Sequence, residues 1–434
     1  MTTLEQLRRD ALRCQAAALA AVEPGALVVA ALTRPEVQSR LIEPGGSVHL
    51  LGVGKAAAAM TRAALGRLGA SVRTALLVAP EGVPTDAPAS VQVMTAGHPV
   101  PTPDSMRAGE AALELAKHTG PEAQLVVLLS GGTSALLAAP ADPLTLADKQ
   151  AVTRLLLAGG ADIGALNAVR KHCSRVKGGG LLRAARRSAG VWTFILSDVL
   201  GDDLATVGSG PTVADPTTFA DALAVLDRFG SRADVPPAVR CHLEAGVRGE
   251  VPETVKPGDP LLARSRTMVV GNNGTAVDAA RRAAEALGYV TTVVPPLVGD
   301  AAEAGRGLVA RLRALPGNHA VALVAGAEPI VRVAPGGCGG RAQHLGLAAA
   351  LALADTPAVV LAVGTDGVDG PTDAAGALVD GTLVARARAR GIDLETALER
   401  TDSHPALDAL DALVRTGPSG TNVSDLVVAL RPAC

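Results

Sequence analysis

The residues of this chain best suited to chemistry sit in glycine-rich turns that follow short apolar runs. Residues 125–129, LVVLL, lead directly into Ser130-Gly131-Gly132-Thr133-Ser134. A continuous apolar run without alternation reads as a buried parallel strand. Glycines at its carboxyl end let the backbone approach an anion, the three hydroxyls add donors, and the N–H groups of a following helix's first turn lack intrahelical partners. The pattern fits an oxyanion or phosphate cradle in an open α/β sheet, or equally a plain strand-to-helix turn.

The same grammar recurs along the chain. Gly52-Val53-Gly54-Lys55 follows the apolar run SVHLLG. A lysine at a helix start opposes the macrodipole unless it faces a bound anion. VWTFILS (191–197) ends in Asp198, with Asp202 and Asp203 close behind. A carboxylate at the end of a buried strand suits Mg²⁺, which takes one or two carboxylates and leaves its other positions to water and phosphate. A solvated acidic turn has the same composition. Gly208-Ser209-Gly210 forms a second glycine-serine loop, and Asn272-Asn273-Gly274 follows TMVVG. The loop PGGCGG delivers Arg341 to a helix start, where backbone and guanidinium can close on an anion together. In GTDGVDG, Asp366 and Asp369 stand three residues apart, able to hold a metal or position a hydroxyl but off the calcium-loop spacing. Arg170, Ser174 and Lys177 fall at i, i+4, i+7, so they share a face if the segment is helical. A solvated basic face is the plainer reading, tempered by the Gly178-Gly179-Gly180 that follows. His98, between Gly97 and Pro99, reads as structural.

Positioning these turns requires an alternation of strands and helices. The 434 residues suggest two domains or three, and 48% hydrophobic with 19% charged residues is globular. One Trp, one Tyr and three Phe leave a core of Ala, Val and Leu and little material for base stacking. A net charge of −2 and the lack of a basic run argue against nucleic acid. Five cysteines without CxxC spacing read as free thiols in a reducing cytosol. No apolar run reaches the roughly 18 residues of a membrane helix, and the charged, amphipathic start is unlike a signal peptide. The expectation is therefore a cytoplasmic protein with no membrane partner. Residues 4–32 read as helices broken at Glu23-Pro24-Gly25. Strands are expected near 47–52, 75–79, 91–94, 125–129 and 191–197. A second series follows at 267–271, 289–294, 319–325 and 358–363. The Pro-bearing stretch 231–265 is the expected linker between domains 1–240 and 260–434.

Taken together, SGGTSALLAAP (130–140), NAVRKHCSRVKGG (167–179), SDVLGDDLATVGSGPTVADPTT (197–218), GNN (271–273), GGRAQHLGLA (339–348), GTDGVDGPTDAAGA (364–377) and TGPSGTNVSDL (416–426) resemble the MOFRL-containing class II glycerate 2-kinases end to end. The resemblance implies ATP-dependent phosphorylation of D-glycerate at its 2-hydroxyl. It also implies two Rossmann-like α/β domains with largely parallel sheets and an active-site cleft between them. It makes Lys55 and Arg341 the key cations, with Asp198 and Asp366 as catalytic carboxylates and Mg²⁺ ligands. Ser130, Gly131, Gly132, Thr133, Ser134, Lys177, Gly208, Ser209, Gly210 and Asn272 would line the nucleotide. D-glycerate and ATP are the expected partners, and a homodimer is left open. Departures from the family pattern fall at Ala327, Cys338, Ala342 and His344, and Gly299-Asp300 replaces a glycine-glutamate pair. Two other classes stay in view. One is a nicotinamide-dependent hydroxypyruvate reductase, although GVGKAA does not complete GxGxxG. The other is a non-catalytic small-molecule sensor.

Overall fold

The computed structural model describes residues 3–41, 46–230 and 234–433. These residues divide into two compact units, one running from Pro24 to Val270 and the other combining the chain up to Glu23 with everything from Gly271 on.

The first unit is built on strands β1 (Ser47–Val53), β2 (Val72–Pro80), β3 (Val91–Ala96), β4 (Ala123–Leu129), β5 (Gly190–Leu196) and β6 (Ser265–Gly271), ordered β3-β2-β1-β4-β5-β6. The pairings from β3 through β5 are all parallel. β4 and β5 are buried almost throughout, as continuous apolar runs between helical layers should be. The order reverses between β1 and β4. The chain first builds outward through β2 and β3, then returns to lay β4 on the other side of β1. That reversal is a topological switch point, where the loops at the strands' carboxyl ends part and leave room for a ligand.

The second unit has strands β7 (Val290–Val293), β8 (Leu297–Asp300), β9 (Val321–Ile330), β10 (Val359–Gly364), β11 (Gly376–Asp380), β12 (Leu413–Val414) and β13 (Asp425–Arg431). Their order is β12-β11-β10-β13-β9-β7, with β8 also on β9. The expectation of a largely parallel sheet is corrected here. β7 and β8 run parallel to β9, whereas the pairs joining β9, β13, β10, β11 and β12 are antiparallel. The cause is connectivity. Residues 365–375 link β10 to β11 without a crossover helix, and a short link can only return the chain antiparallel. The last strand, β13, then inserts between β10 and β9 and is buried along its whole length.

The expected domain boundaries shift as well. Helix Leu4–Ala21 belongs to the second unit, held by an ion pair from Arg8 to Asp380 at 2.8 Å and by Tyr289 donating to buried Asp10 at 2.9 Å. The break at Glu23-Pro24-Gly25 is where the chain passes from one unit to the other. The supposed linker is largely part of the first unit. Helix Pro237–Val247 lies within it, and Val255 is fully buried, its N–H donating to Gly178 O and its carbonyl accepting from Asp215 N. Strand 267–271, expected to open the second series, instead takes its place beside β5 at the edge of the first sheet.

Candidate active site

At the switch point the β1 and β4 loops are tied backbone to backbone. Lys55 N donates to Gly131 O at 2.9 Å and Ser130 N to Val53 O at 3.0 Å, while Gly54 N holds the β1 turn to β2 through Val78 O at 3.1 Å. Gly54 has φ +122°, and a Cβ there would lie 2.3 Å from Ser130 Oγ and 2.6 Å from Ser130 O. Only glycine allows so close an approach, and that approach sets the backbone of Lys55 beside the β4 turn. The lysine side chain is half-buried at the carboxyl end of β1.

The hydroxyls of the Ser-Gly-Gly-Thr-Ser turn divide into two kinds. Ser130 is fully buried, its Oγ accepting from Ala56 N at 3.0 Å and facing Val53 O at 3.4 Å. Thr133 Oγ1 donates toward Ser130 O at 2.8 Å and Val53 O at 3.2 Å. Both therefore fasten the loop to itself. Ser134 is half-exposed and pairs with Ser209 Oγ at 2.7 Å, joining the two glycine-serine loops. Ser209 is flanked by Gly208 and Gly210, and all three have φ near +60°. Its hydroxyl also meets Asn167 Oδ1 at 3.2 Å. The helix after the turn is only Thr133–Leu136, so little macrodipole stands behind Gly131 and Gly132.

The helical face expected for Arg170, Ser174 and Lys177 does not form, because the helix Ile163–His172 ends before Ser174. Nor is the cluster solvated. Lys171, His172 and Lys177 are buried. Lys177 Nζ donates to Ser134 O at 2.7 Å and Leu137 O at 3.3 Å, which draws its ammonium into the loop junction. Burial, with Lys149 and Arg170 near, holds its pKa well below the usual lysine range. His98, set aside as structural, is exposed, and its ring lies over Gly132, where a Cβ would be 3.0 Å from Cδ2. Its separation from the Ser-Gly-Gly turn in sequence hid this. Asp198 is half-buried just past β5, at the same end of the sheet.

In the second unit, Arg341 opens the helix Arg341–Leu353. Its Nε lies 2.7 Å from Asp425 Oδ2 and its Nη2 3.0 Å from Asp425 Oδ1, while Nη1 is 3.5 Å from Glu328 Oε1. Asp425 thus grips the side edge of the guanidinium, leaving the end edge toward the half-buried Glu328. An end-on fork is what binds carboxylate or phosphate in two parallel bonds. Burial works against the charge of Arg341, but Asp425, with Glu328 and Asp369, outweighs it and raises the pKa. Burial lifts Asp425 to about 7 against the pull of Arg341, with Asp369 and Asp366 adding to the lift.

The glycine loop before Arg341 closes on an anion, and that anion belongs to the protein. Asp369 accepts from Ala342 N at 3.1 Å and Gln343 N at 2.7 Å, capping the helix. A Cβ on Gly340 would strike Asp369 Cγ at 2.2 Å. The pair Asp366 and Asp369 is therefore split. Asp369 is buried as a cap, and Asp366 is half-buried in the turn, with Oδ1 accepting from Val368 N at 3.2 Å. Among the described residues no three His, Cys, Asp or Glu side chains converge on a metal position. Asp198 in the first unit and Asp366 in the second are each half-buried just beyond a strand's carboxyl end. Asn272 caps the helix Asn273–Ala286, accepting from Thr275 N at 2.9 Å. Asn273 ties that helix to β13 through Val423 O and Asp425 O at 2.8 and 2.9 Å.

Sequence reasoning missed Asp425, Glu328 and Asp369 as partners of Arg341 and its helix. Asp425 and Asp369 lie 84 and 28 residues beyond it and share no motif with it. Ala327 and Ala342 are core residues, and His344 is buried, with burial lowering its pKa.

Residues 10–244 match a family described as a domain of unknown function (DUF4147), and residues 321–425 match the MOFRL family. The chain is 37% identical to a Pyrococcus horikoshii glycerate 2-kinase, covering 98% of this chain and 97% of that protein. It is 35% identical to human glycerate kinase over 96% and 91%, and 39% identical to an Agrobacterium vitis protein named putative hydroxypyruvate reductase over 94% and 91%. The crystal structure of Thermotoga maritima glycerate kinase superposes with a TM-score of 0.86 at 34% identity, covering 98% of this chain and all of that one. The chain belongs to the MOFRL-containing glycerate 2-kinase family.

Proposed function

We propose that the protein is an ATP-dependent kinase that phosphorylates the 2-hydroxyl of D-glycerate, giving 2-phosphoglycerate and ADP. The observation that carries this reading is end-to-end likeness to proteins named glycerate kinase. The C2 oxygen forms a bond to the γ-phosphorus, the bond to the β–γ bridging oxygen breaks, and ADP leaves with its electron pair. Such a loose transition state asks for positioning and charge stabilisation more than covalent help. The end edge of Arg341, held by Asp425 from the side, would exchange its 3.5 Å contact with Glu328 for a substrate carboxylate or phosphoryl oxygen. Lys55 supplies a point charge at the β1 turn, and Asp198 or Asp366 orients the attacking hydroxyl and takes its proton. The Ser134–Ser209 loops and the turn at Asn272 line the nucleotide, whereas Ser130, Thr133 and Lys177 support those loops from within. Magnesium, held by Asp198 and Asp366 with phosphate oxygens, would neutralise the triphosphate.

Several features favour a cytoplasmic enzyme working on small molecules. The first is the modest net charge, and the others are the small-molecule kinases it resembles; among the described residues no single helix is long and apolar enough to cross a membrane. A homodimer is compatible with this reading. The reductase reading rests on the name carried by two Agrobacterium vitis relatives.

NMR of the product formed from D-glycerate, ATP and Mg²⁺ tests the proposal. A phosphorus-coupled C2 proton is the expected outcome, and a product phosphorylated only at C3 would overturn the regiochemistry. NADH oxidation by hydroxypyruvate without a coupling enzyme would favour the reductase. Asp198→Asn should preserve the fold while raising the magnesium requirement and cutting turnover, and full activity at an unchanged requirement would remove Asp198 from the metal.

A further inference from the structure

The first unit contains a cavity of about 360 Å³, one side of which, at Lys177 and Gly178, backs onto the Ser134 and Ser209 loops while the rest faces away from them. Its wall includes Lys117, at the end of helix Pro103–His118, and Arg183 and Arg186, which surround the end of helix Gly180–Ala184. These residues precede β4 and β5 in the chain, so they gather near the strands' amino ends. Ser130 and Asp198 follow the same strands at their carboxyl ends. Seven residues of strand separate the two ends by about 20 Å.

The charge in this wall is lopsided. Asp142 is its single carboxylate among the described residues, against Lys117, Lys171, Arg175, Lys177, Arg183 and Arg186. Three of the cations are already engaged, Lys177 by the carbonyls of Ser134 and Leu137. Lys171 pairs with Asp215 at 3.2 Å deep in the wall, and Arg175 pairs with Glu110. Lys117 makes only an exposed pair with Glu114, a kind that contributes little and exchanges readily with solvent ions. The remaining two meet no carboxylate among the described residues. Arg183 donates only to the backbone carbonyl of Glu253, at 2.5 Å, and Arg186 is exposed. Apolar surface from Leu113, Phe219 and Val251 completes the cavity.

We propose that this cavity is a binding site for a small phosphomonoester, separate from the phosphoryl-transfer site. Two guanidinium groups without acidic partners match a dianion. A phosphate carries close to two negative charges near neutral pH and offers three acceptor oxygens to planar forks. The volume suits a small metabolite, and the apolar wall gives its carbon portion a surface. Lys117, released from Glu114, would close the mouth on the anion. The proposal does not depend on the kinase reading, because it concerns binding within one unit.

The test is calorimetric titration of the full-length protein with inorganic phosphate at low ionic strength, with and without saturating ATP, alongside Arg183→Ala, Arg186→Ala and Arg186→Glu. Wild type should bind phosphate in both conditions. Each alanine variant should bind about tenfold more weakly, as expected for loss of one charge-assisted contact. Arg186→Glu should abolish binding, and acetate, a monoanion, should bind far more weakly than phosphate. Kinase kcat and KM, measured in phosphate-free buffer, should stay at wild-type values in Arg186→Ala, because Arg186 is exposed and far from the switch-point loops. No phosphate binding by wild type, binding abolished by ATP, or equal affinity in the arginine variants would overturn the proposal. So would acetate binding as tightly as phosphate.

Discussion

Asp425→Asn separates what a residue contributes to the fold from what it contributes to Arg341. The carboxyl is buried, and its Oδ2, although 2.7 Å from Arg341 Nε, has no aligned hydrogen bond. Burial with Asp369 and Asp366 nearby lifts its pKa from the ordinary 3.8 to about 7 despite the arginine. The folded state therefore binds the proton more tightly than the unfolded state. The sign follows directly. Between pH 4 and 7 the native protein holds a proton that the unfolded chain has lost, so this group's contribution to stability falls as pH rises through that window. A shift of about three units corresponds to about 4 kcal/mol, the cost of keeping the buried carboxylate charged above pH 7. Asparagine has the same shape without that charge. In metal-free buffer the variant should match wild type near pH 4 and exceed it by about 2–4 kcal/mol at pH 8, as read by urea unfolding. Turnover should move the other way. With its side edge no longer held by an anion, Arg341 loses its orientation, and kcat/KM at pH 8 should fall by about 10–100-fold. The deficit should narrow toward pH 6, where wild-type Asp425 is itself protonated. A variant less stable than wild type at pH 8, or an activity deficit that is flat across this range, would refute the reasoning.

Three other outcomes are expected. Lys55→Ala and Arg341→Lys should each lower turnover by about 10²–10³-fold, the usual effect of removing one transition-state donor. Arg341→Lys should do so although it keeps the charge, because an ammonium cannot form the planar fork, and near-wild-type steady-state kinetics in either variant would exclude it from the reaction. Lys149 is buried, donates to Cys173 O at 3.3 Å, and has its pKa lowered by burial to about 8. The unfolded chain holds that proton more tightly, so its contribution to stability rises from pH 8 to pH 10.5, and Lys149→Met should be about 1–3 kcal/mol more stable than wild type at pH 7, with the gap closing above pH 10. Gly54→Ala should cost about 3–5 kcal/mol in thermal or urea unfolding, from a positive φ and a Cβ driven into Ser130.

Much of the first unit was readable because its strands are continuous apolar runs bounded by glycine turns. Residues 47–52, 125–129 and 191–197 lie in β1, β4 and β5 nearly as expected. The second sheet was harder for a physical reason. Parallel and antiparallel strands buried on both faces have the same composition, so AVVLAV carries no mark of its direction. Direction there is set by the helix-free link after β10 and by the insertion of β13, both non-local facts. Helix Leu4–Ala21 shows the same limit. Its amphipathic pattern fixes a buried face, but its partner lies more than 250 residues away, at the helix Asn273–Ala286 and Tyr289.

The site divides along the same line. Residue type announced where cations and hydroxyls would gather: Lys55, Ser134 and Asp198 follow closely on the ends of β1, β4 and β5, and Ser209 and Arg341 lie farther along the segments after β5 and β9. It could not say which polar groups the fold keeps for itself. Ser130, Thr133 and Lys177 look as reactive in the sequence as Ser134 does, yet their donors close internal carbonyls. Asp369 looks as suited to metal as Asp366, yet it caps a helix. An arginine proposed to act on the substrate needs an orienting anion, and the acids around Arg341 come from three different segments: Glu328 in β9, Asp369 in the loop after β10, and Asp425 at the start of β13. Antiparallel insertion of β13 beside β9 sets Asp425 opposite Ala327, one residue from Glu328. The strand order that was hardest to read is thus what supplies the arginine's partners, and a substitution that shifted the β13 register would disable Arg341 without touching it.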